Sequence, residues 1–168
     1  MLNIKNLVEI LGDKAYEIGT LAYVKTIQPY LNKTSDKFKA KEYMIRSDLT
    51  KRNFTKRQQN IILLILNYSY SFGKEYAVFP KLQDFELCGV GRAKVRTELD
   101  KLVEMKVVQW DMDSNEFSIS SPLEWEAPFH SGYRDIRTQE IFLINLRHKG
   151  IGWDKLVINL AKLTDKNK

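Results

Sequence analysis

The spacing of apolar residues along the chain predicts a mainly helical protein. Apolar residues recur every three or four positions between Ile4 and Ala22, which indicates an N-terminal helix. Thr55 and Gln58 have the spacing of a capping box just before the apolar run IILLIL, so a core helix is predicted over residues 56–72. Because proline is tolerated in the first turn of a helix, Pro80 favours a second helix over residues 80–87.

A third helix and a β-hairpin are predicted next. Gly89 and Gly91 provide a turn, and residues 92–106 then carry a narrow apolar stripe that consists of Val95, Leu99, Leu102 and Val103. VVQW (residues 107–110) and EFSIS (residues 116–120) are rich in β-forming residues and flank the turn DMDSN, so they predict a hairpin. Three helices followed by a hairpin predict a winged helix-turn-helix, with the hairpin as the wing.

The flanking segments complete the predicted organisation. KTSDKFKAK (residues 33–41) is a polar, lysine-rich connector, SPLEWEAPF (residues 121–129) is an acidic loop, and residues 135–149 and 154–164 have amphipathic helical patterns. The predicted fold class is mainly α with a small β-hairpin, a winged helix-turn-helix core with extra N- and C-terminal helices. The predicted divisions are 1–41 for the helical extension and connector, 42–121 for the winged helix, and 122–168 for the acidic loop and C-terminal helices.

Composition and the distribution of reactive residues favour a non-enzymatic binding protein. Cys88 is the single cysteine, and it lies far in sequence from His130 and His148, so the sequence has no metal-ligand spacing and predicts no metal or cofactor. GVGRAK has too few glycines for a dinucleotide fingerprint. The longest apolar run, IILLIL, is far shorter than the roughly 20 residues that span a bilayer, and the N-terminus lacks a signal-peptide pattern. These features predict a cytoplasmic protein without a membrane partner.

The net charge of +6 is unevenly distributed. Residues 33–58 contain nine basic and three acidic residues. Residues 109–132 contain five acidic residues and no lysine or arginine. The chain therefore has a basic segment before and at the start of the core helix and an acidic segment at the wing.

The run from FTKRQQ to EFSIS (residues 54–120) resembles the N-terminal domain of phage replisome organisers. That family shares an FTKRQ-type helix start, a YSYG-like segment, a PKLQDFELCG-like second helix and a KV-I-W hairpin. EYMIRSDL (residues 42–49) is similar to the entry strand of the family, and IFLINL (residues 141–146) is similar to the helix after its wing. The resemblance implies a winged helix that binds origin DNA in a bacterial host cell and, through further C-terminal sequence, helps to deliver helicase. The chain adds a front segment and ends at Lys168, which predicts a stand-alone derivative.

The acidic wing favours a protein partner as the leading hypothesis. A wing that contacts DNA needs lysine or arginine, whereas an acidic wing complements a basic protein surface. In length and type the chain is also similar to Twort-type phage inhibitors of the host sliding clamp. The hypothesis is inhibition of host DNA replication by binding a replication protein at its DNA-binding surface, with the channel of the sliding clamp as first candidate. The predicted contacts are Asp111, Asp113, Glu116, Glu124 and Glu126 for the basic channel and Lys37, Lys39 and Lys41 for acidic rim residues.

Sequence-specific or origin DNA binding is the alternative. The predicted DNA contacts are Arg92, Lys94, Arg96, Thr97 and Lys101 on the third helix, with Lys56 and Arg57 adding phosphate contacts. Asp100 and Glu104 share that face and would repel phosphate, so a solvated helix face with mixed charges is the competing structural interpretation. A transcriptional regulator is a third alternative, which would bind a palindromic site as a homodimer formed through the end helices.

Overall fold

The computed structural model describes residues 36–150 together with 154–155, 157–158 and 161–162. The predicted N-terminal helix lies outside the described residues, and the predicted last helix is described only at residues 154–155, 157–158 and 161–162, all of which are helical. Chain contacts define one compact unit, Glu42–His130, while residues 36–41 and 131–150 belong to a second unit. The division into three segments at residues 41 and 121 stays a prediction.

The described elements are mainly helical with a small antiparallel sheet, so the prediction of a mainly α fold with a small β-hairpin is confirmed. None of the described helices is long and apolar enough to cross a membrane. In chain order the elements are α1 (Asp36–Lys51), α2 (Lys56–Tyr68), a 3-10 turn (Tyr70–Phe72), β1 (Tyr76–Val78), a 3-10 helix (Leu82–Cys88), α3 (Arg92–Glu104), β2 (Val108–Asp111), β3 (Glu116–Ile119), a 3-10 turn (Pro122–Glu124) and α4 (Asp135–His148).

Three strands in the order β1-β3-β2 form the sheet within the described residues. The predicted hairpin is present as β2 and β3, with Trp110 directly opposite Phe117. The third strand was not predicted, because β1 is three residues long and buries only Ala77, too short a pattern to show alternation. Its pairing with β3, which places Ala77 opposite Phe117, is decided by tertiary contact.

The core helix α2 begins where the capping box predicts. The Gln58 amide donates to Thr55 Oγ1 at 3.2 Å, and the Thr55 amide donates to Gln58 Oε1 at 3.0 Å. The helix ends at Tyr68 rather than Phe72, because the Ser69 hydroxyl donates to the Ile65 carbonyl at 2.7 Å and the next residues tighten into a 3-10 turn. The fully buried residues of α2 are Ile61, Ile62, Ile65 and Leu66.

The expectation for residues 33–49 was wrong over most of its length. Residues 36–41, expected as a connector, and EYMIRSDL, compared with an entry strand, together form α1. Ala40, Met44, Ile45 and Leu49 are buried at helical spacing, and the charged residues between them obscured that stripe in the sequence. Lysine has good helix propensity, so a lysine-rich segment does not by itself indicate a loop.

The second and third helices also differ in detail from the expectation. The segment after Pro80 is a 3-10 helix that begins two residues later than predicted, where the Lys81 amide donates to the Asp84 carboxylate at 2.9 Å. In α3, Val103 is 40% exposed and was wrongly assigned to the core stripe. Glu98, 5% exposed, instead lies on the buried face. With Val95, Leu99 and Leu102, it completes an i, i+3, i+4, i+7 stripe that the charge of Glu98 concealed.

Arg52 attaches the loop after the hairpin to the end of α1. Its Nε donates to Asp48 Oδ2 at 2.9 Å, and its Nη groups donate to the carbonyls of Ala127 and Pro122 at 2.8 and 3.2 Å. Its guanidinium lies 4.1 Å from the centroid of the Phe129 ring. Together these contacts hold residues 122–129 against the end of α1, a segment that the sequence predicted only as an acidic loop.

Candidate nucleic-acid interface

The turn before α3 is fixed by glycine and by a contact from the core helix. Gly89 ends the 3-10 helix with φ at 81°, in the left-handed region that favours glycine. Gly91 then precedes α3 with extended backbone. The Asn60 side chain donates to the Cys88 carbonyl at 3.1 Å, which ties this turn to α2. The start of α3 is therefore held at a defined position beside the first two turns of α2.

The outward face of α3 carries the residues predicted to contact DNA. All of Arg92, Lys94, Arg96, Thr97 and Lys101 are exposed, while the opposite face is buried. Every charged side chain in the first five residues of the helix is basic. The acidic residues Asp100 and Glu104 lie in its second half. Positive charge is therefore concentrated at the end of α3 that is anchored by the turn.

Lys56 and Arg57 share one side of α2 with Asn60, which contacts the turn before α3. Both are exposed in the first turn of α2. Asn60 follows them by four and three residues, so its side chain projects from the same side of α2. Because Asn60 contacts the turn that leads into α3, this side of α2 faces that turn.

Arg96 makes contacts that the sequence did not reveal. Its guanidinium lies 4.8 Å from the centroid of the Trp110 ring on β2. Its Nε donates to the two carboxylate oxygens of Asp100 at 3.2 and 3.3 Å. Asp100, expected only to repel phosphate, is thus an ion-pair partner one helical turn away. Trp110 was assigned to a strand from its β propensity, and no local pattern signalled its contact with α3.

The five acidic residues predicted to contact a protein partner have different environments. The Asp111 carboxylate accepts hydrogen bonds from the amides of Asp113 and Ser114 at 3.0 and 3.3 Å and so shapes the hairpin turn. Glu126 pairs with Lys106, and this contact raises the pKa of the lysine. The other predicted acidic contacts are Glu116, which is half-buried in β3, and Asp113 and Glu124, which are exposed. Two of the five acidic residues therefore have identifiable structural roles.

The lysines proposed to meet acidic rim residues lie on the first turns of α1. Lys37, Lys39 and Lys41 are helical, rather than part of an extended connector. Lys39 and Lys41 are half-buried. Positions two residues apart face different sides of a helix, so Lys39 and Lys41 do not form one continuous basic surface.

The described residues contain no cluster of histidine, cysteine and acidic side chains that could hold a metal ion. The Cys88 thiol donates to the Phe85 carbonyl at 3.1 Å. Burial raises the pKa of this thiol, which lowers its thiolate fraction and hence its reactivity.

The family model described as Bacteriophage replication protein O matches residues 33–124, more than half of the 168-residue chain. The matched span includes α2, the turn, α3 and the hairpin, and therefore all of the basic residues predicted to contact DNA. No curated protein and no solved structure matches the chain.

Proposed function

The chain belongs to the bacteriophage replication protein O family and acts in phage DNA replication; from this premise we propose that residues 42–130 are a winged helix that binds duplex DNA through α3. The observation that carries the proposal is the exposed basic start of α3. Arg92, Lys94 and Arg96 are exposed there, and Asp100, the acid that pairs with Arg96, lies one turn further along the helix. The proposed location is the cytoplasm of the bacterial host.

The proposed binding mode places the first half of α3 in the major groove. Recognition helices contact base edges through their N-terminal residues, which here are Arg92, Lys94 and Thr97. Lys56 and Arg57, at the start of α2, then contact the phosphate backbone beside the groove. Glu104, at the far end of α3, is separated from Arg92 by about 18 Å along the helix axis, so it is outside this contact.

Duplex binding is tested with the full chain, a random duplex pool and fluorescence anisotropy at several salt concentrations. Lys94→Glu combined with Lys101→Glu should abolish binding, because both residues lie on the exposed face of α3. Lys56→Glu should weaken binding to all duplexes and reduce the salt slope by about one. Lys74→Glu is the matched control, since this exposed lysine follows the opposite end of α2. Equal effects of Lys56→Glu and Lys74→Glu would contradict the proposed surface.

Inhibition of host replication at the sliding-clamp channel is the second candidate. It is favoured by the exposed carboxylates of Asp113 and Glu124, which lie in a segment without lysine or arginine. Reversal of Asp111, Asp113 and Glu116 to lysine distinguishes the two candidates. If the protein binds the clamp, the triple variant should no longer bind purified clamp. If it binds DNA, the triple variant should bind duplex DNA more tightly. Wild-type protein that binds the clamp and no duplex would refute the DNA proposal.

A further inference from the structure

The plane of the Arg96 guanidinium is held by two neighbouring side chains. Trp110 lies under it, 4.8 Å from the ring centroid, and Asp100 accepts from its Nε. Trp110 is itself fixed by stacking on Phe117, with ring centroids 5.4 Å apart and an angle of 17° between the rings. Phe117 is fully buried in the sheet. The orientation of Arg96 is therefore connected to the rigid core through Trp110.

The two terminal nitrogens of Arg96 remain available as donors. Among the described residues, the hydrogen bonds of this side chain are made by Nε to Asp100, and none is made by Nη1 or Nη2. The Arg96 side chain is 56% exposed. A planar guanidinium with two unpaired Nη groups on an exposed side chain matches a pair of acceptor atoms in one plane.

We propose that Arg96 is a preoriented bidentate donor to duplex DNA, and that Trp110 and Asp100 are its positioning residues. The inference rests on the proposed DNA-binding function. Its target is a coplanar pair of acceptors, either O6 and N7 of a guanine or two oxygens of one phosphate. Because the side chain is held before DNA arrives, less side-chain freedom is lost on binding than for a free arginine.

Asp100 therefore has two opposite effects on DNA binding. Its negative charge repels phosphate, but its carboxylate also fixes the Nε side of Arg96. Asp100→Asn and Asp100→Leu together separate these effects, because Asn removes the charge but keeps an acceptor oxygen for Nε, whereas Leu removes both. A purely repulsive Asp100 predicts equally tighter binding of every duplex in both variants. A positioning Asp100 predicts that Asp100→Leu binds its preferred duplex more weakly than Asp100→Asn does.

The experiment begins with selection of a preferred duplex from a random pool by the wild-type protein. Dissociation constants are then measured for that duplex and for a scrambled one. Arg96→Lys keeps the charge and loses the planar fork, so it should weaken binding roughly tenfold. Arg46→Lys is the matched control, because Arg46 is also exposed and paired with an acid at i, i+4 spacing but lies on α1, outside the proposed surface, and it should change the affinity by less than about twofold. Circular dichroism confirms that each variant is folded.

Two further arms distinguish the acceptor. If Arg96 contacts guanine, replacement of the guanines by 7-deazaguanine should weaken wild-type binding, and Arg96→Ala should be less sensitive to that replacement. If Arg96 contacts phosphate, Arg96→Ala should weaken both duplexes alike and reduce the salt slope by about one. Arg96→Lys with wild-type affinity for both duplexes would overturn the inference while leaving the proposed function intact. Wild-type protein that selects and binds no duplex would overturn both.

Discussion

Arg52 offers a direct test of how the loop after the hairpin is held in place. Its three hydrogen bonds reach Asp48 on α1 and two carbonyls of the loop, 70 and 75 residues away in sequence. The side chain is 12% exposed, so these bonds are largely shielded from water. We predict that Arg52→Ala substantially lowers the free energy of unfolding of the unit Glu42–His130.

The magnitude follows from what the truncation leaves behind. The Asp48 side chain is 4% exposed and would keep its contact with Lys51 at 3.7 Å. Removal of one partner from a buried ion pair costs about 3–5 kcal/mol, because the other charge stays buried. Since Lys51 still compensates part of that charge, we expect a loss of about 3 kcal/mol. Arg52→Met combined with Asp48→Leu should recover most of this loss, because it removes both charges.

The assay is urea denaturation of the full chain followed by circular dichroism, with amide hydrogen exchange as a local probe. The amides of Asn53 and His130 donate to the carbonyls of Pro128 and Lys51 at 2.7 and 3.0 Å, so both should exchange faster in Arg52→Ala. Arg46→Ala is the control.

Arg46 pairs with Glu42 at the same i, i+4 spacing, but its side chain is 44% exposed. Its removal should therefore cost only about 0.3–0.5 kcal/mol. Equal free energies of unfolding for Arg52→Ala and Arg46→Ala would show that the shielded contacts of Arg52 stabilise the protein no more than the exposed pair of Arg46 does.

Three further predictions concern the local structure, and the first two are tested by urea denaturation. Thr55→Ala should lower the free energy of unfolding by about 1 kcal/mol, because the cap of α2 is lost. Thr55→Ser should keep most of that stability, because serine also caps. Gly89→Ala should lower the free energy of unfolding by about 1–2 kcal/mol, because φ is 81° there. Gly91→Ala should lower it by less, because φ is −62° and the added Cβ meets open space. The raised pKa of Cys88 predicts slower alkylation by iodoacetamide in the folded protein than in urea. The associated stability is fully present below pH 9.0, the ordinary pKa, and is lost as the pH rises through the raised pKa, a loss that Cys88→Ala should remove.

Much of the candidate site was predictable from sequence, because local patterns encode helix faces. The exposed side of α3 follows from the spacing of Val95, Leu99 and Leu102, and the positions of its basic residues follow from that spacing. Glu98 and Val103 are the exceptions. Both sit at the border of the stripe, where packing against neighbouring elements, rather than residue type, decides which one is buried.

The sequence by itself determined α2 with its capping box, the hairpin and the concentration of positive charge at the start of α3. These features depend on residues within a few positions of each other, where steric and hydrogen-bonding preferences are local. Only the tertiary structure decided that β1 pairs with β3, that Arg52 holds the loop after the wing, and that Trp110 lies beneath Arg96. Each of these contacts joins residues at least 14 positions apart, and the same side chains have many other partners available until the core brings them together.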